Sequence, residues 1–101
     1  MSRSQQSRQV PRAVLGTMTF GQRVDEAVGE AMVRRYLDTR QDELDTAWMY
    51  VQGRTEEILG RILKRLGREK VRLATKARPL DDGQFGPEGI ADQLETSLKR
   101  L

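Results

Sequence analysis

Three short apolar runs recur along this chain at intervals of roughly 30 residues, the length of a β-α-β unit, and each precedes a stretch with helical periodicity. Residues 13–20 form the first run, closed by Gly21, and Glu43–Asp45 the second. The third, residues 71–75, alternates: Val71, Leu73 and Thr75 point one way, Ala74 and Lys76 the other. After the first run, Asp25 caps a helix with Glu26 in its first turn. Val28, Met32 and Tyr36 give that helix an apolar face with Val33 and Leu37 beside it, Glu30 and Arg34 form a favourable pair, and the helix fades near Thr39 and Arg40. A loop over residues 48–53 leads to a second helix opening near Thr55. There Ile58, Leu59, Ile62, Leu63 and Leu66 share a face, Lys64, Arg65 and Arg68 suit the C-terminal end of the dipole, and Gly67 terminates. Arg61, Lys64, Arg65 and Arg68 read as a solvated face. After an Asp81-Asp82-Gly83 loop, Pro87 suits a first helical turn, and Ile90, Leu94, Leu98 and Leu101 make a third apolar stripe.

Strand then helix, three times over, with crossovers this long, implies an α/β fold with parallel pairing. Such crossovers are right-handed, so the helices share one side of a sheet that curls toward closure. Strand ends and helix starts then share one rim, where ligands of α/β sheets and barrels sit. Asp45, Tyr50 and Lys76 all fall on that rim.

Composition narrows the chemistry. A chain of 101 residues holds one small domain with a modest core. It has no cysteine and no histidine, which excludes disulfides, thiolate nucleophiles, imidazole bases and the zinc or Ser-His-Asp chemistry built on them. The formal charge is +3, but residues 1–24 carry Arg3, Arg8, Arg12 and Arg23 and no acid, so the remainder is close to neutral. No aromatic interleaves with a basic run, and no nucleic-acid partner is expected. Residues 1–12, rich in Ser, Gln and Arg, lack the apolar core of a secretory signal and read as a disordered leader, able at most to bind anions or a membrane surface weakly. No run approaches the ~20 apolar residues of a membrane span, which points to a soluble cytoplasmic protein. Gly-x-Gly-x-x-Gly and phosphate-loop patterns are absent, so a nucleotide would bind without a glycine fingerprint.

The rim residues suggest a reaction. Reducing a carbonyl requires hydride at carbon and a proton at oxygen. A phenol serves as the acid when a nearby ammonium favours the phenolate. A lysine held in such a place needs a counter-charge to keep its own proton. Tyr50 as donor, Lys76 as tuner and Asp45 as the compensating carboxylate therefore make sense as a unit. Taken singly, Tyr50 reads as an amphipathic core or surface residue, Asp45 as a loop acceptor and Lys76 as a snorkelling lysine.

Four blocks in order carry a family resemblance: Leu44-Asp45-Thr46-Ala47-Trp48-Met49-Tyr50, then Gly53-Arg54-Thr55-Glu56-Glu57-Ile58-Leu59-Gly60, then Ala74-Thr75-Lys76-Ala77-Arg78-Pro79, then Leu94-Glu95-Thr96-Ser97-Leu98-Lys99-Arg100-Leu101. Over residues 13–101 the chain resembles the aldo-keto reductase superfamily. Its start, Val14-Leu15-Gly16-Thr17-Met18, and its last block resemble the aflatoxin-aldehyde and succinic-semialdehyde reductase branch. The resemblance implies the first three β/α units of a (β/α)8 TIM barrel, incomplete here, that uses NADPH to reduce aldehydes and ketones. It implies Asp45 at the nicotinamide end of the cofactor, Tyr50 as proton donor and Lys76 as the residue lowering the donor's pKa. Thr17 and Met18, after the first strand, would help line the cofactor pocket.

Departures qualify the picture. The family's fourth catalytic residue, a His ending the fourth strand, falls beyond Leu101, as do the elements that hold the cofactor's phosphates. Trp48 stands where the branch often carries Phe, and Asp42, Val51 and Gln52 also differ from its usual residues. Leu101 lies on an unfinished apolar stripe, so the chain reads as the front third of an enzyme. The alternative is an inactive fragment whose open sheet edges pair with a full-length reductase subunit or a second copy.

Overall fold

The computed structural model describes residues 12–78 and 86–101; most of the leader and the Asp81-Asp82-Gly83 loop lie outside the described residues. Arg12, the last leader residue, pairs with Glu43 at 2.7 Å.

Strands β1 (Leu15–Gly16), β2 (Glu43–Asp45) and β3 (Arg72–Ala74) lie parallel in chain order, as the long crossovers require. Leu15 aligns with Leu44, and Leu44 with Leu73, so a row of leucines crosses the sheet on its helix-facing side. Helices α1 (Glu26–Asp38), α2 (Arg54–Leu66) and α3 (Pro87–Arg100) follow the strands in turn, with α2 packed between α1 and α3. The core unites Leu44 and Val71 with Phe20, Val33 and the Ile58, Leu59, Ile62 and Leu63 face of α2. Among the described residues, no helix is long and apolar enough to cross a membrane.

The strands are shorter than the apolar runs. Both the amide and the hydroxyl of Thr17 donate to the Asp45 carbonyl, at 3.1 and 2.9 Å, and there the first ladder ends. The Phe20 amide then donates back to the Thr17 carbonyl at 3.0 Å, and the chain turns so that the Phe20 ring drops wholly into the core.

Helix α1 begins as its sequence indicates, with the Asp25 carboxylate accepting from the Val28 amide at 2.9 Å. Its buried face is displaced from the expected one. Val28 and Met32 are exposed, while Gly29 and Val33 are buried. Gly29 explains the rotation: a Cβ there would stand 3.1 Å from the Phe20 ring, so the bare backbone lets the helix settle on that ring. Farther along, the Tyr36 hydroxyl accepts from the Glu43 amide at 3.0 Å and has the carbonyls of Ala13 and Glu43 within 2.5 and 2.8 Å for its own proton. It ties the end of α1 to the starts of β1 and β2.

Part of the basic row on α2 is a clamp rather than a solvated face. Arg61 reaches Glu26 at 2.8 Å, and Arg65 reaches both Glu26 at 2.9 Å and Glu30 at 2.6 Å. The hydrogen bond from Arg61, then that from Arg65, holds the Glu26 carboxyl below the ordinary glutamate range; Arg65 does the same to Glu30. Gly67 ends α2 in a left-handed conformation (φ 111°), its amide donating to the Leu63 carbonyl at 2.8 Å.

Helix α3 overturns most of the expected stripe, of which Leu101 alone packs against the core. Ile90, Leu94 and Leu98 are 42, 52 and 68% exposed, whereas Gln93 and Ser97 are buried. Polar partners inside the molecule account for this. The Gln93 side-chain amide exchanges bonds with the Arg78 backbone at 2.8 and 2.7 Å, and Ser97 donates to the fully buried Glu56 of α2 at 3.0 Å. The helices meet closely at Gly60, where a Cβ would run into the Arg100 carbonyl oxygen.

Two outcomes follow from this packing. Gly60→Ala, which in an open helix would stabilise by about 0.5–1 kcal/mol, should instead destabilise by about 1–3 kcal/mol through overpacking; chemical denaturation of the two proteins reads the sign. The Glu26 and Glu30 carboxyls bind protons less readily folded than unfolded, so their contribution is present above the ordinary glutamate value of 4.5 and is lost as pH falls through the folded values. Glu26→Gln with Glu30→Gln should therefore flatten the acid limb of a stability-against-pH curve below about pH 4.5 and leave its alkaline limb unchanged.

Candidate active site

The rim is built by backbone bonds that continue past the strands. The Thr46 amide donates to the Ala74 carbonyl at 2.8 Å and the Trp48 amide to the Lys76 carbonyl at 2.9 Å. Residues 74–76 are thereby held alongside residues 45–48. Strand alternation puts Leu44 and Thr75 toward the helices and Asp45 and Lys76 on the opposite, open face, together with Gly16, Arg72 and Ala74.

On that face the three predicted residues converge. The Lys76 ammonium donates to Asp45 Oδ2 at 2.6 Å, and its Nζ stands 5.2 Å from the centroid of the Tyr50 ring. Burial pulls the Lys76 pKa down, but the Asp45 carboxylate hydrogen-bonded to it, and after it the neighbouring Tyr50, outweigh burial and hold it above the ordinary lysine value. Lys76 is thus a fixed cation at neutral pH beside a phenol. Asp45 Oδ1 has no hydrogen-bond partner among the described residues.

Tyr50 arrives there through a strained turn. It opens a short 3-10 segment, Tyr50–Gly53, in which Val51 (φ 48°), Gln52 (φ 56°) and Gly53 (φ 91°) are consecutively left-handed. For a β-branched residue such as Val51 that conformation costs about 1–3 kcal/mol. The turn reverses the chain between the rim and α2 and leaves the Tyr50 ring half-buried over Lys76.

The other two predicted residues lie differently. Thr17 is wholly buried, and its hydroxyl is occupied by the Asp45 carbonyl. It holds the end of β2 rather than facing a ligand. Met18 is exposed beside the same rim. Among the described residues, no group of three or more His, Cys, Asp or Glu could hold a metal ion.

Sequence reasoning missed a second constellation beneath the rim. Glu56 is fully buried; its Oε2 accepts from the Thr75 hydroxyl at 2.6 Å and its Oε1 from Ser97 and Arg100 at 3.0 and 3.1 Å. The available signal was positional. Glu56 lies one turn before Leu59 on the apolar face of α2, where a charge needs a partner.

Comparison with known proteins gives the family of the chain. The sequence pattern of the Aldo/keto reductase family matches residues 12–101. The chain is 46% identical over 109 residues to rat aflatoxin B1 aldehyde reductase member 2, spanning all of this chain and 30% of that protein. It is 44% identical over 103 residues to human aflatoxin B1 aldehyde reductase member 4, spanning all of this chain and 31% of that one. The chain thus spans under a third of the length of these relatives. Among solved structures, a Pseudomonas aeruginosa protein described as an aldo-keto reductase superposes with a TM-score of 0.72 at 31% identity, over 87% of this chain and 36% of that one. A thermostable aldo-keto reductase solved with the inhibitor epalrestat gives 0.73 at 25% identity, over 90 and 34% of the two chains. The chain belongs to the Aldo/keto reductase family, and its three β/α units form part of that family's TIM barrel.

Proposed function

We propose that this segment carries the proton-handling part of an NADPH-dependent cytoplasmic reductase that converts small aldehydes and ketones to alcohols. The observation that supports it most is the Lys76 ammonium, 2.6 Å from the Asp45 carboxylate and 5.2 Å from the Tyr50 ring. The relatives are named as aldehyde reductases, the same class of reaction. When bound, NADPH supplies the hydride for the carbonyl carbon. The Tyr50 hydroxyl delivers the proton to the carbonyl oxygen, and the phenolate left behind faces the Lys76 ammonium, which stabilises it. Asp45 keeps Lys76 protonated and directs it. The open Asp45 Oδ1 fits a hydroxyl or amide donor of the nicotinamide end of the cofactor, and exposed Met18 can pack beside it. Thr17 contributes from behind by fixing the Asp45 carbonyl.

Two experiments test the reading. Residues 13–101 grafted in place of the matching segment of the rat relative should preserve NADPH-dependent aldehyde reduction. Tyr50→Phe in the graft should then lower kcat by about 10²–10⁴-fold with cofactor affinity kept; undiminished turnover would overturn the donor assignment. The 101-residue chain by itself should neither bind NADPH nor oxidise it with an aldehyde, because hydride transfer needs the reacting atoms held about 3–3.5 Å apart and a single carboxylate does not hold a dinucleotide. Fluorescence of Trp48, the sole tryptophan, reads binding, and absorbance reads turnover. Saturable binding, with turnover lost in Tyr50→Phe, would show that three units suffice.

A further inference from the structure

We infer that Glu56, acting with Thr75 and Arg100, is a positioning hub that sets the distance between Lys76 and Tyr50. The inference rests on reading those two residues as the proton-handling pair. Glu56 touches neither of them. It lies on the helix side of the sheet, wholly buried, where a carboxylate persists only if its oxygens are met by donors.

Those donors lead to both halves of the site. Glu56 Oε2 accepts from the hydroxyl of Thr75, the residue immediately before Lys76 and pointing to the opposite face, at 2.6 Å. Glu56 Oε1 accepts from Arg100 Nη1 at 3.1 Å, and the same Nη1 donates to the Trp48 carbonyl at 2.9 Å. The Arg100 guanidinium also covers Gly53, where a Cβ would stand 2.6 Å from its central carbon. Trp48 precedes and Gly53 closes the turn that carries Tyr50, so one guanidinium braces both ends of it. The Trp48 amide, bonded to the Lys76 carbonyl at 2.9 Å, closes the circuit.

The turn needs such a brace. Its own backbone bonds are local, Tyr50 to Ala47 at 3.2 Å and Gln52 to Met49 at 2.9 Å, and two of its residues are left-handed without being glycine. A strained conformation holds only where its surroundings over-determine it. Among the described residues, Arg100 spans the turn from outside, and Glu56 fixes Arg100 to the strand that presents Lys76.

Simple structural glue and a positioning hub differ in what they move. The test is an NMR titration of the isotopically labelled full chain, following the Lys76 side chain and the Tyr50 ring in wild type, Thr75→Val, Thr75→Ser, Arg100→Gln and Tyr36→Phe. Thr75→Val and Arg100→Gln should lower the proton affinity of Lys76 by about threefold or more, as the Tyr50 contact loosens, and should shift the Tyr50 ring signals. Thr75→Ser, which restores the hydroxyl, should return both to the wild-type values. Tyr36→Phe, which cuts ties at the far ends of β1 and β2, should cost stability and leave the Lys76 titration in place. If Thr75→Val does not fold, Arg100→Lys, which keeps the charge but loses the planar fork, carries the same expectation. A Lys76 titration unchanged in the folded Thr75 and Arg100 variants, or one shifted equally by Tyr36→Phe, would overturn the hub. The measurement needs neither cofactor nor turnover, so its failure stays separate from a failure of the Tyr50→Phe assay.

Discussion

A carboxylate buried between two helices and a strand governs how the parts of this chain meet. Glu56 is inaccessible to water, and three side chains from two other elements converge on it. Removing one partner of such a buried pair typically costs about 3–5 kcal/mol, more than a leucine on the margin of a small core contributes. That imbalance decides the orientation of α3. The helix turns Ser97 and Arg100 inward to meet Glu56, Gln93 to meet the Arg78 backbone, and leaves Ile90, Leu94 and Leu98 facing out. Polar satisfaction overrides the apolar stripe because, among the described residues, Ser97 and Arg100 supply all the donors to Glu56 Oε1, while an exposed leucine costs comparatively little.

The two faces of the sheet have correspondingly different work. On one, Leu44, Val71 and the leucines of α2 exclude water, with Glu56 as an ionic inclusion. On the other, Asp45 and Lys76 form an ion pair that remains reachable from solvent. Alternation along β3 links the faces, since Thr75 and Lys76 are adjacent in sequence and opposite in direction. A change at the buried network therefore reaches the open face through one peptide unit. Thr17 makes the same kind of connection at β1, holding from below the carbonyl of the residue whose carboxylate faces outward.

Much of the fold was legible in the residues because local physics and tertiary packing agree there. The parallel order of three strands follows from the crossover lengths, the start of α1 from Asp25, the end of α2 from Gly67, and the core face of α2 from its leucine periodicity. The strand ends were less legible. β1 stops at Gly16 because the Thr17 carbonyl is turned to the Phe20 amide rather than to β2, a turn that periodicity does not reveal. The rotation of α1 depends on Gly29 meeting Phe20, and the interhelical arginine clamp depends on α1 and α2 lying side by side.

The rim residues show where the division falls. The sequence by itself put Asp45 at the end of β2 and Lys76 just past the end of β3 on one rim, since long right-handed crossovers set the strand ends side by side. It also determined the family, through blocks whose order and spacing are independent of any contact. Only the tertiary structure decided that Tyr50 reaches Lys76, because the intervening turn takes three left-handed residues, two of which disfavour that conformation locally. No local propensity selects such a turn. It exists because Arg100, 52 residues on from Trp48, accepts the geometry from outside, and an interaction at that separation is set by the packing of helices rather than by the order of residues.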